Sequence, residues 1–371
     1  MTADPESRRG VRSRGGRSVY ICALVACLTF VSHAQQREVE ELRAHAEKGD
    51  AEAQNTMGLA YKNARGVTQD FAQALKWFQK SADQGYAAAQ KNLGLMYAEG
   101  NGLKQDFAEA AKWLRKAAEQ NFASAQNHLA MLYVEGKLPS RDLGEAVKWL
   151  RKAAERNYAE AQDNLGELYL EGKGVAQDVA EAIVCFRKAA AQNFASAQDH
   201  LGNLLVDGKG LAQDYAEALK LYRQAAAQNY AASQSTLGWM YAEGKGVPVD
   251  DNEAVKWFRR AAEQQYASAQ NQLGMMYEKG RGVPQDFVKA ADWYRKAAER
   301  GYGGAQNNLA IAYALGQGVP KDLIEAYKWF ALAATHGDNN RAELRETISK
   351  QLTPEQLAQA EQRVKEFVPR K

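Results

Sequence analysis

The chain has 371 residues, 46% of them hydrophobic, with only 7 prolines and a formal net charge of +3. That charge resides in the first 34 residues, where Arg8, Arg9, Arg12, Arg14 and Arg17 stand against Asp4 and Glu6; the remainder is balanced. There is no electrostatic case for a nucleic acid or an anionic membrane surface as partner.

The first predicted element is an export signal over residues 1–34. An Arg-rich start leads into an apolar run from Val19 to Val31, and Ser32-His33-Ala34 supplies small residues where a signal peptidase reads. The run is too short for a bilayer, which needs roughly 20 residues, so no stable transmembrane span remains after cleavage. This predicts a Sec-type route to the periplasm or the medium, with Gln35 first in the mature chain. Two variants stay open. Leu24-Val25-Ala26-Cys27 is similar to a lipobox, which would leave a lipid anchor on Cys27, although the apolar run continues past it. Ser7-Arg8-Arg9 is a fragment of a twin-arginine signal whose remainder is missing. Once Cys22 and Cys27 leave, Cys185 is alone and cannot form an internal disulfide. It stands where other copies of the unit described next carry Trp, and reads as a small buried hydrophobe.

Residues 35–50 predict one capping helix, Val39 to Gly49. A 36-residue unit then repeats eight times without insertion, over 51–86, 87–122, 123–158, 159–194, 195–230, 231–266, 267–302 and 303–337. A fixed period in this range specifies an array of one supersecondary unit, with no single closed core.

The first half of each unit predicts a helix. Its centre is a glycine (Gly58, Gly94, Gly166, Gly202, Gly238, Gly274), with Ala130 and Ala310 in the same register. A mid-helix glycine costs about 1 kcal/mol against Ala, so its recurrence predicts close approach of the partner helix. Gln54, Gln90, Gln126, Gln162, Gln198, Gln234, Gln270 and Gln306 lie on the buried arc. A buried amide needs partners, here expected from the backbone of the neighbouring repeat. A Gly-x-Gly-Val loop follows, as at Gly172-Lys173-Gly174-Val175; its first glycine suits a left-handed C-cap and its second a tight bend. Repeat one has Ala64 for the first glycine, and repeat three has Leu138-Pro139 for Gly-Val.

Asp70, Asp106, Asp142, Asp178, Asp214, Asp250, Asp286 and Asp322 come next, each just before an Ala-rich stretch, and read as N-caps of a second helix. That helix carries Trp77, Trp113, Trp149, Trp257, Trp293 and Trp329 as core, with Lys and Arg beside them as a solvated outer stripe. A Tyr or Phe closes each of the first seven copies, at the junction between repeats. Beyond residue 338, a helix from about Asn340 to Lys350 and a capping box, Thr353-Pro354-Glu355-Gln356, opening a last helix to about Phe367, predict a C-terminal cap over 338–371.

The motifs Ala-Gln-x-x-Leu-Gly-x-x-Tyr, Gly-x-Gly-Val, the Asp before helix two and Trp-x-x-Lys-Ala-Ala resemble those of the Sel1-like repeat family, a relative of the tetratricopeptide repeat. The resemblance covers residues 51–337. It implies an all-α fold: a right-handed α-solenoid of eight helix-turn-helix repeats, capped by helices at both ends, with the first helices on the concave face. It also implies a scaffold or adaptor, which in some bacterial relatives is periplasmic or secreted. A cysteine-rich subgroup has been linked to penicillin binding; this chain lacks those cysteines.

The repeat assigns structure to the invariant positions, so a partner site falls on the variable ones. The residue after the central glycine lies mid-arc on the predicted open face: Leu59, Leu95, Met131, Glu167, Asn203, Trp239, Met275 and Ile311. Six are apolar, which suggests a groove for a protein or extended peptide, anchored by Trp239, or else packing between first helices. Three residues before the glycine, Asn127, Asp163, Asp199 and Asn271, with Lys91 and Asn307, would hydrogen-bond that segment from exposed flanks. Glu99, Glu135, Glu171, Asp207 and Glu243 make this side acidic and favour a basic or Asn/Ser-rich segment.

No catalytic, metal or cofactor set emerges. His33, His45, His128, His200 and His336 are scattered, and His128 and His200 are two repeats apart, roughly 20 Å at ordinary helix spacing, too far to share a zinc. No Ser–His–Asp or Cys–His pairing emerges either. The expectation is a non-catalytic scaffold of unspecified oligomeric state, with no cofactor. The alternatives are a protein that binds peptidoglycan or a β-lactam and, more weakly, a secreted effector.

Overall fold

The computed structural model describes residues 37–335 and 339–370. The predicted signal, with Cys22, Cys27 and His33, and His336 lie outside the described residues. These residues are helical with no strand among them, and no described helix is long and apolar enough to cross a membrane.

They fall into two units. The first runs to Ala161 and includes Lys173–Val175. It holds α1 (37–47) and three helix pairs: α2 (Ala51–Asn63) with α3 (Phe71–Asp83), α4 (Ala87–Glu99) with α5 (Phe107–Glu119), and α6 (Ala123–Val134) with α7 (Leu143–Glu155). The division falls within α8 (Ala159–Glu171). The second unit holds Gln162–Gly172 of α8 and α9 (Val179–Ala191), then the pairs α10 (Ala195–Asp207) with α11 (Tyr215–Ala227), α12 (Ala231–Glu243) with α13 (Asp251–Glu263), α14 (Ala267–Lys279) with α15 (Phe287–Glu299), and α16 (Gly303–Leu315) with α17 (Leu323–Ala334). Two capping helices follow, α18 (Asn339–Ser349) and α19 (Pro354–Lys365), both packed on α17.

The boundaries follow from local chemistry. All eight repeat aspartates cap a second helix: Asp70 accepts from the Gln73 amide at 3.0 Å, and Asp106 from those of Ala108 and Glu109 at 2.9 and 3.0 Å. Such a cap is worth about 1 kcal/mol. First helices end in a left-handed residue, Gly100 (φ 71) or Gly244 (φ 65); Ala64 holds the same conformation at φ 55. In repeat three, α6 is one residue shorter, and Gly136 takes the positive φ at 64. The second loop glycine does more than bend. A Cβ on Gly174 would lie 2.5 Å from the Leu143 carbonyl oxygen, so this loop rests on the start of the preceding second helix. Second helices also close on a left-handed residue, among them Asn121, Asn157, Asn193, Asn229 and, at φ 66, Gln265.

The central glycine has the predicted cause. A Cβ on Gly238 would lie 2.6 Å from the Phe258 ring, and on Gly166 2.7 Å from Phe186. The most buried ring is therefore the residue after the Trp register, which Cys185 and Leu221 fill in two repeats: Phe78, Phe186, Tyr222 and Phe258 are almost completely enclosed. Cys185, at 8% exposure, is buried as its register predicts. At the C-terminus the capping box forms: Thr353 Oγ1 accepts from the Gln356 amide, and Gln356 Oε1 from the Thr353 amide.

Candidate functional site

Within each unit, invariant glutamines tie a repeat to the one before. Gln90 Nε2 donates to the Ala82 carbonyl oxygen at 3.2 Å, Gln126 to Ala118 at 3.0 Å and Gln234 to Ala226 at 3.3 Å. A second glutamine, just past the second helix, donates back: Gln120 to Gln90 Oε1, Gln192 to Gln162 Oε1 and Gln264 to Gln234 Oε1, at 2.7–2.8 Å. These side chains serve architecture.

Three residues before the glycine, the sequence expectation requires correction. Asn127, Asp163, Asp199 and Asn271 do not lie on exposed flanks; they are 0%, 4%, 6% and 7% exposed. A single-helix projection leaves them facing solvent, but for Asp163, Asp199 and Asn271 the first helix of the next repeat supplies a partner. Asn92 Nδ2 donates to Asn55 Oδ1 at 2.8 Å, and Asn308 Nδ2 to Asn271 Oδ1 at 2.9 Å, each across one repeat. Lys91 and Asn307 are half-buried, and burial, then the Lys62 charge, lowers the Lys91 pKa.

In the second unit this polar seam becomes ionic. His200 Nδ1 lies 2.9 Å from Asp163 Oδ1 and Nε2 lies 3.1 Å from Glu167 Oε1, with the imidazole 4.9 Å from the Phe186 ring. Burial opposes the histidine's charge, but the bonds to Asp163 and Glu167 outweigh it and push its pKa up to about 10. Next to it, Ser233 Oγ donates to Asp199 Oδ1 at 2.5 Å, Asn203 Nδ2 to Asp199 Oδ2 at 3.0 Å, and the Tyr222 hydroxyl to Asn203 Oδ1 at 2.6 Å. Burial raises the Asp199 pKa against those bonds. Ser, His and Asp thus meet, yet not as a nucleophile set. The serine bonds a carboxylate, and the protonated histidine has no lone pair with which to take a proton. Glu167 and Asn203, the polar exceptions in an otherwise apolar row, are members of this network.

That row is half-buried at Leu95, Met131, Glu167, Trp239 and Met275, and also at Leu59 and Ile311; Asn203 is exposed. Trp239, Met275, Leu59 and Ile311 pack against buried core clusters while keeping partial exposure. Along the acidic edge Glu135, Glu171, Asp207 and Glu243 are exposed; Glu243 lies 3.7 Å from the Arg281 guanidinium, and Glu99 pairs with Lys62 at 3.0 Å.

The outer stripe of the second helices is more ordered than the sequence suggests. Arg43 of the capping helix α1 and Arg115, Arg223, Arg259 and Arg295 of second helices each donate to a tyrosine hydroxyl eighteen residues on, as Arg115 does to Tyr133 at 2.7 Å and Arg223 to Tyr241 at 2.9 Å. Lys80, Lys116, Lys152, Arg260 and Lys296 lie over the Trp ring three residues back, at 3.8–4.8 Å. The fixed spacing of Arg and Tyr was the available signal. Among the described residues no group of three or more His, Cys, Asp or Glu is placed to hold a metal ion.

The Sel1 repeat family model matches residues 51–86, 87–122, 123–158, 159–194, 195–230, 231–266, 267–302 and 304–338. No match was found among curated proteins. Among solved structures, the chain is 31% identical to a Sel1 repeat protein from Oxalobacter formigenes, with a TM-score of 0.61 over 93% of this chain and 98% of that one. It is 32% identical to a protective antigen with an SLR fold from uropathogenic Escherichia coli, with a TM-score of 0.51 over 90% of this chain and 79% of that one. Eight matched repeats and two relatives of this extent establish the family: the chain belongs to the Sel1 repeat proteins, which generally act as protein-interaction scaffolds.

Proposed function

We propose that this chain is a non-catalytic scaffold that binds a basic, extended segment of a partner protein along the first helices of its second unit. The observation that carries this reading is the side-by-side placement of Trp239, Met275 and Ile311, apolar and only half-buried, with the exposed carboxylates of Asp207 and Glu243. Apolar area supplies affinity, and the acidic edge selects charge. We further propose export by the N-terminal signal, to the periplasm or the medium. The Escherichia coli relative is a protective antigen, which agrees with a place outside the cytoplasm.

The test is capture from an envelope extract by residues 35–371. Trp239→Glu abolishes capture while the helical circular dichroism stays. Because Trp239 also packs on core residues, Asp207→Lys with Glu243→Lys is the companion variant, and it weakens capture without touching the core. Undiminished capture by both variants removes this face as the site. Covalent labelling of the chain by a fluorescent penicillin supports the cell-wall alternative instead. Cell fractionation tests export.

A further inference from the structure

The chain's own C-terminal residues show how a peptide occupies one of its grooves. Beyond α19, residues 367–370 lie across the second-helix side of the last two repeats. Phe367 meets the Trp329 ring edge-on, with centroids 5.5 Å apart and an interplanar angle of 74°. Pro369 lies beside Gly301. The Arg370 amide donates to the Glu299 carbonyl oxygen at 2.8 Å, and its guanidinium pairs with the Glu299 carboxylate at 2.6 Å. The tail and the helices line a cavity of about 340 Å³.

Two repeats earlier the same groove is open. Between α11 and α13 a cavity of about 600 Å³ is lined by Arg223, Asn229, Trp257, Arg260, Glu263 and Gln264. Trp257 is the register equivalent of Trp329. Two replacements shift the charge toward positive, while Glu263 stands where the last repeat has Thr335. Ala227 stands where α15 has Glu299, and Arg260 stands where α17 has Leu332. The Arg260 guanidinium lies 4.8 Å over the Trp257 ring, and Arg223 is exposed on the opposite wall. The last groove holds an arginine; this one, with Arg223 and Arg260 against Glu263, carries net positive charge.

We propose that the α11–α13 groove is a binding site for a short peptide segment carrying an aromatic residue and, three positions on, a carboxylate. It takes that segment as the last groove takes Phe367 and Arg370. The aromatic ring packs at Trp257, and the carboxylate pairs with Arg260 and Arg223. The site lies on the second helices and is independent of the first-helix face. Its small contact area sets a weak affinity, on the order of 0.1 mM.

The probe is a fluorescein-labelled hexapeptide of residues 366–371 carrying Arg370→Glu, titrated with residues 35–371 of the chain and read by anisotropy. Saturable binding is expected, at least tenfold weaker with Arg260→Glu or Trp257→Ala in the protein. The unaltered hexapeptide, with its arginine, binds at least tenfold more weakly. Arg260 is exposed, so its variant folds normally, which circular dichroism checks. No saturation at millimolar protein, equal binding by Arg260→Glu, or equal binding of the arginine peptide overturns the proposal.

Discussion

Arg156 stands at the position from which, in other repeats, a glutamine donates to the invariant amide, and the Oε1 of Gln126 accordingly has no protein donor. The same holds for Arg300 and Gln270, whereas Gln120 donates to Gln90 at 2.8 Å. An unmet buried acceptor carries a desolvation cost of about 1–3 kcal/mol. Arg156→Gln is expected to raise stability by about 1 kcal/mol, measured as a higher urea midpoint. Arg156→Ala removes the same charge without supplying a donor and is expected to gain less. Equal gains from both sink the explanation.

Gly238→Ala is expected to destabilise. The added methyl lies 2.6 Å from the Phe258 ring. Overpacking of this kind costs about 1–3 kcal/mol, against the roughly 1 kcal/mol that alanine gains in a helix. Repeat three carries Ala130 and Leu150 at these two positions, both fully buried. Gly238→Ala with Phe258→Leu should therefore recover part of the loss in thermal melts. Repeat eight combines Ala310 with Phe330, so the ring has some room to yield, and the net cost falls near the lower end. A double variant less stable than the sum of its single changes counts against the register argument.

The His200 ion network has a definite pH signature. Its folded pKa of about 10 exceeds the unfolded value of roughly 6.5. Its stabilisation is therefore complete below about pH 6.5, declines above that, and is gone beyond about pH 10. His200→Gln leaves Asp163 buried without its cation, at a cost of about 2–3 kcal/mol near pH 6, less than for a fully enclosed pair because the imidazole keeps some exposure. The gap in urea midpoint between the native chain and His200→Gln should be widest at pH 6 and narrow by pH 10. A gap that is constant or grows with pH contradicts the geometry.

Much of the fold was legible because each repeat states it again. Asp before an Ala-rich stretch caps a helix by purely local hydrogen bonds, and Gly in mid-helix announces a neighbour too close for a methyl. The candidate site was less legible. Asp163 and Asp199 read as solvent-facing on one helix, since a helical projection contains no information about the helix of the next repeat. Arg115 and Lys116 read as a solvated stripe, yet one bonds Tyr133 and the other covers Trp113.

The sequence alone determined the period, the helix pairs, the Asp caps and the role of the invariant glutamines, because these rest on interactions that recur at fixed, short spacings. Only the tertiary structure decided which polar side chains are buried between first helices, that Asp163, His200 and Glu167 form an ionic seam beside the Ser233–Asp199 hydrogen bond, and where the tail from Phe367 to Arg370 lies. Those outcomes depend on surfaces contributed by different repeats, and burial is a property of two surfaces in contact, which neither one's sequence expresses by itself.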